Sequence, residues 1–139
     1  MTIMKGKTLY IFDSFYYRLL RDVTEHQAWE PWILYLLEAV EQTALHTRNK
    51  ILDIRKLLVK TLEYTKENLP SRVYSKDLIE LLFYRPYTKT QFLVDAGIVK
   101  RQTAAEYLRK LEEIGVLQSQ KAGKENLYLN MKLYELLSR

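Results

Sequence analysis

Cationic and amide side chains gather at two places late in this 139-residue chain. Lys100, Arg101, Gln102 and Thr103 stand in a row, and Arg109 and Lys110 follow one to two helical turns later. Lys121 and Lys124 flank Ala122-Gly123. Lysine and arginine can neutralise phosphates, while Arg101 and Gln102 carry the donors and acceptors that read base edges. These eight residues are the candidate DNA-binding set. Glu106 and Glu113 share the face of Arg109 and work against that reading. A carboxylate repels phosphate unless it accepts a hydrogen bond from a cytosine. The competing reading is a solvated helix face on a protein-binding module, since a fold alone does not decide its ligand.

Other chemistries are excluded by residue type and spacing. Cysteine is absent, which removes disulfides, thiol catalysis and cysteine-built zinc sites. The glycines, Gly6, Gly97, Gly115 and Gly123, lie too far apart for a GxGxxG or GxxxxGK[ST] phosphate loop. His26 and His46 are not at the i,i+4 spacing of a helical metal pair. No pair of carboxylates stands out as a general acid and base. The expectation is no catalytic residue, no metal and no cofactor. The hydrophobic fraction is 47% and the charged fraction 28%, a globular composition. No apolar run reaches the roughly 18 to 20 residues of a membrane span. Met1 to Tyr10 lacks the apolar core of a signal peptide, so a cytoplasmic location is expected and no membrane partner.

The net charge of +5 is unevenly spread. Residues 70–139 hold 12 Lys/Arg against 8 Asp/Glu, net +4, whereas residues 1–69 hold 10 against 9, net +1. The elements that must position the cations follow from the pattern. Ser75-Lys76-Asp77 caps a helix bearing Leu78, Ile79, Leu81, Leu82 and Phe83, which Arg85-Pro86 breaks. Residues 88–96 form a second helix closed by Gly97. Residues 103–114 form a third, with Ala104, Leu108, Leu111 and Ile114 inward and Gly115 at its end. Residues 116–121 and 126–130 alternate as strands about Ala122-Gly123-Lys124, and 131–137 close with a short amphipathic helix. Helix, helix, glycine turn, helix and hairpin is the order of a winged helix-turn-helix. The third helix and the wing then carry the candidate set.

The first half is helical. TLYIF, residues 8–12, reads as a short strand or extended arm, and Asp13 or Ser14 caps a helix with Phe15, Tyr16, Leu19, Leu20 and Val23 on one face. Residues 24–28 read as a polar turn. A helix starting at Pro31 runs to Asn68, with an alternative break at HTRN, residues 46–49. Ile33, Leu37, Val40, Ala44, Thr47, Ile51, Ile54, Leu58, Thr61 and Thr65 alternate spacings of 4 and 3, the seam of a bundle or coiled coil. The fold expected is mainly α, a helical bundle segment over 1–69 followed by a winged helix-turn-helix over 70–139 with a small β-hairpin.

Two stretches together resemble the bacterial Fic family. YYRLLRDV (16–23) and AWEPWILYLLEAVEQTA (28–44) are similar to the segment just after the Fic active site. ILDIRKLL (51–58) and KRQTAAEYLRKLEEIGVL (100–117) are similar to the helix and winged helix that follow in the longer members. Fic enzymes transfer AMP from ATP to a protein hydroxyl through His-Pro-Phe and Gly-Asn-Gly-Arg, and neither motif occurs here. The resemblance therefore implies a non-catalytic carboxy-terminal piece: the end of the Fic core, a linking helix and the winged domain. It implies either a stand-alone DNA-binding or regulatory module, a fragment whose AMP-transferring half lies elsewhere, or a protein-protein module. It further implies that Trp29, Trp32, Tyr35 and Leu36 lose the catalytic helices they would cover. Open apolar area is unfavourable by about 25 cal/mol per Å² and is usually hidden by association. The partners expected are a second copy of the chain through those four residues, and duplex DNA or a protein at the winged domain.

Overall fold

A computed structural model of the chain describes residues 14–139. The expectations for TLYIF and for a cap at Asp13 lie outside the described residues. Six helices and a three-stranded antiparallel sheet make up the described part, so the mainly α architecture with a small hairpin is what the chain adopts. The chain divides into two compact units, one through Ile51 and one over Leu52–Ser138.

In the first unit, α1 (Ser14–His26) buries Leu19 and Val23, one turn apart on a single face. It ends at Gln27, whose φ of 57° places a non-glycine residue in the left-handed region. The helix α2 (Trp29–Asn68) starts two residues before Pro31. That proline falls in the first turn, where no N–H has an intrahelical acceptor to lose. The helix then runs unbroken for 40 residues, through HTRN. Nothing in those four residues carries the penalty of about 3 kcal/mol by which a proline stops a helix. Phe15, Tyr16, Trp32 and Tyr35 form an aromatic cluster between α1 and α2, with Tyr16 to Trp32 at 4.9 Å and Phe15 to Tyr35 at 5.4 Å.

The second unit is built on one hydrophobic cluster. Leu78, Ile79, Leu82, Leu93, Ala104, Leu108, Leu111 and Leu117 are its buried centre, joined by Leu69, Val73 and Tyr128. Leu58 and Leu62 pack against it from the last turns of α2. After α3 (Lys76–Leu81) comes a short strand, β1 (Tyr87–Thr88), then α4 (Thr90–Asp95) and α5 (Arg101–Glu113). The hairpin β2 (Gln118–Ala122) and β3 (Glu125–Leu129) follows, and α6 (Met131–Ser138) closes the chain. The sheet order is β1-β3-β2, with Thr88 opposite Tyr128 and Ser119 opposite Tyr128 on the other side. Ser75 caps α3 by accepting from the Leu78 N–H at 3.1 Å. Gly97, at φ 70°, turns the chain between α4 and α5. A Cβ there would meet nothing within 4 Å, so the left-handed backbone, not crowding, is what favours glycine.

Candidate nucleic-acid interface

The packing of α5 decides which of its side chains face outward. Ala104, Leu108 and Leu111 are fully covered. At 100° per residue, the opposite side of the helix is Gln102, Glu106, Arg109 and Glu113. Lys100 is the N-cap residue, with an extended backbone and no side-chain capping bond, so its ammonium is not used in closing the helix. Arg101 and Gln102 are exposed in the first turn, Thr103 is half-buried beside them, and Arg109 is exposed further along. Lys121 is exposed on β2 and Lys124 in the turn to β3, where Gly123 takes φ 63°. The structure thus groups Lys100 to Thr103 at one end of α5 and Lys121 with Lys124 at the wing. Lys110 is half-buried and held at 3.0 Å by Glu113.

The acidic side chains around this surface are already engaged. Glu106 pairs with Arg72 at 2.8 Å, and the Tyr107 hydroxyl donates to the Arg72 carbonyl at 2.7 Å. Those two contacts tie α5 to the segment after α2. Glu112 accepts from the Ser119 N–H at 2.9 Å and thereby fixes the start of β2 against α5. Hydrogen bonds from Ser119, its side chain first and its backbone second, hold the Glu112 carboxyl below the ordinary glutamate value. Glu125 at the start of β3 pairs with Lys89, just before α4, at 3.0 Å. Among the described residues no ion pair engages Lys100, Arg101, Arg109, Lys121 or Lys124.

Arg72, Lys89 and Ser119 are the residues that sequence reasoning missed. Arg72 lies 34 residues from Glu106 and Lys89 lies 36 from Glu125, so no local spacing announces either pair. The Lys110 to Glu113 pair, at i,i+3, is readable from spacing alone.

The four residues expected at an oligomer interface divide by cover. Trp32, Tyr35 and Leu36 are half-buried, the first two in the ring cluster with α1, while Trp29 is 54% exposed. Larger openings fall on Leu34, Leu37 and Val40. Among the described residues no group of three or more His, Cys, Asp or Glu could hold a metal ion, and no helix is long and apolar enough to cross a membrane.

Three helices, a β1 strand between the first two, a glycine turn before the outward-facing third, and a following hairpin define a winged helix-turn-helix protein. A family model described as the C-terminal domain of SoFic-like protein adenylyltransferase matches residues 57–133. The chain belongs to that family. The match covers α3 through most of the winged unit together with the last turns of α2. No His-Pro and no Gly-Asn-Gly occurs in the 139 residues.

Proposed function

We propose that this chain is a non-catalytic, DNA-binding module of a SoFic-like protein. The first turn of α5 enters the major groove and the β2–β3 turn rests on the phosphate backbone. One observation carries the reading. Glu106, Glu112, Glu113 and Glu125 are each engaged within the domain, while Lys100, Arg101, Arg109, Lys121 and Lys124 have no ion-pair partner among the described residues. The repulsion expected from Glu106 and Glu113 is thereby weakened before a phosphate arrives. Arg101 and Gln102 supply the groups for base edges, and Lys100, Arg109, Lys121 and Lys124 those for phosphates.

Binding of a labelled duplex at increasing salt tests this. Four phosphate contacts give a log–log slope of about −3.6. Lys100→Glu and Arg101→Glu are each expected to lower affinity at least tenfold, because each replaces an attraction by a repulsion. Lys132→Glu, on α6, is expected to change it little. Absence of binding in low salt, or equal affinity in the α5 variants, would overturn the reading.

A further inference from the structure

The open side of α2 is not the side that faces α1. Ile33, Leu37, Val40 and Ile51 are 48%, 60%, 67% and 58% exposed, and they lie with Ala44 and Thr47 on one seam of alternating 4 and 3 spacing. A row of that period is matched by another helix, whose side chains fill the holes between its own. With Leu34 and Leu45 at its border, also about half open, the row presents about 600 Å² of apolar area.

Charge selects the occupant and its direction. With Leu37, Ala44 and Ile51 at the a positions and Ile33, Val40 and Thr47 at d, Glu41 and Arg48 both fall at e. Both are exposed, and neither has an ion pair among the described residues. In a parallel pair e faces g, so Glu41 would meet Leu36 and Arg48 would meet Thr43, with no charge matched. In an antiparallel pair e faces e, and two registers are open to the seam. One sets Val40 against Ala44 and brings the two Glu41 carboxylates together. The other sets Val40 against Ile51 and Ala44 against Thr47, and brings Glu41 of each copy to Arg48 of the other, twice by symmetry.

We propose that a second copy of this chain packs antiparallel on the α2 seam in the register that pairs Glu41 with Arg48. The small Ala44 sits near the two-fold axis, where it lets the two backbones approach. This assignment moves the interface off Trp32 and Tyr35, which pack against rings of α1, and onto the next face of the same helix. It stands independently of the DNA reading.

The experiment uses the full chain, which has no cysteine of its own. Val40→Cys and Ile51→Cys chains are oxidised separately and as a mixture. The antiparallel register places these two residues opposite each other, so the mixture cross-links and neither variant alone does. Parallel pairing would cross-link each variant with itself and overturn the proposal. Sedimentation of the wild type at micromolar concentration is expected to give a dimer, and a monomer there would also overturn it. Glu41→Arg and Arg48→Glu are each expected to raise the dimer dissociation constant at least tenfold, and the double variant to restore it. Single and double variants that associate alike would remove the assigned register.

Discussion

Asn130 joins three elements through one side chain and its backbone. Its Oδ1 accepts from the Leu133 N–H at 3.2 Å and opens α6, while its Nδ2 donates to the Leu82 carbonyl after α3 at 3.5 Å. Its own N–H donates to the Pro86 carbonyl at 2.9 Å, beside β1. The residue is only 4% exposed, so water does not replace those bonds. Asn130→Ala is expected to destabilise the chain by about 1–3 kcal/mol, from a lost cap and a buried carbonyl left without its donor. Urea unfolding measures this, and Asn130→Asp, which keeps the capping oxygen, should lose less. Such residues explain why side-chain roles were only partly legible. Ser75 was readable as a cap because the helix signal begins three residues later. Asn130 reads as the last residue of a strand pattern, and its donation to Leu82 spans 48 residues. Arg72 is hidden for the same reason: its partner, Glu106, is chosen by the fold and not by the chain nearby.

At the level of elements, the junction between α5 and β2 is set by Glu112 and Ser119. The sign of its pH response follows from the lowered Glu112 value. A carboxyl that ionises more readily when folded contributes fully at pH above its ordinary value of 4.5. That contribution falls as acid brings the pH down through the lowered folded value. The protection of the Ser119 amide, measured against a free amide at the same pH, is therefore expected to fall as the pH is lowered through that folded value, below 4.5. Nuclear magnetic resonance exchange rates measure it, and Glu112→Gln should flatten the dependence. Helices and hairpin were legible because Gly97, Gly115 and Gly123 punctuate them at the positions where φ turns positive. The strand β1 was not, since Tyr87 and Thr88 are too short a stretch to show a period of two. The start of α2 at Trp29 was placed late because proline marks a first turn and not a particular residue within it.

For the molecule as a whole, the division at Ile51 and Leu52 falls inside α2, so a single helix contributes to both compact units. Every member of the main hydrophobic cluster lies between Leu58 and Tyr128. Residues 52–139 alone are therefore expected to fold and to melt in one cooperative step. Circular dichroism and calorimetry on that piece measure this, and a broad, non-cooperative melt would show that the first unit is needed to complete the core. The sequence pattern revealed the winged half more fully than the first, because the former is punctuated every few residues and the latter is one long periodic run. A periodic run shows that a face is apolar, but which neighbour covers it depends on packing that lies outside the run.

The wing strand β2 is exposed at all five of its residues, whereas β3 beside it buries Tyr128. Residues 121 and 122 and their partners 126 and 125 are all exposed, so this end of the ribbon has no oily surface to uncover when it bends. Its hydrogen bonds to β3 can unzip and re-form while the leucines beneath stay in place, because bending it costs no dehydrated contact. The tip bearing Lys121 and Lys124 is consequently a compliant finger on a stiff palm, able to follow a curved surface without the rest of the domain changing shape.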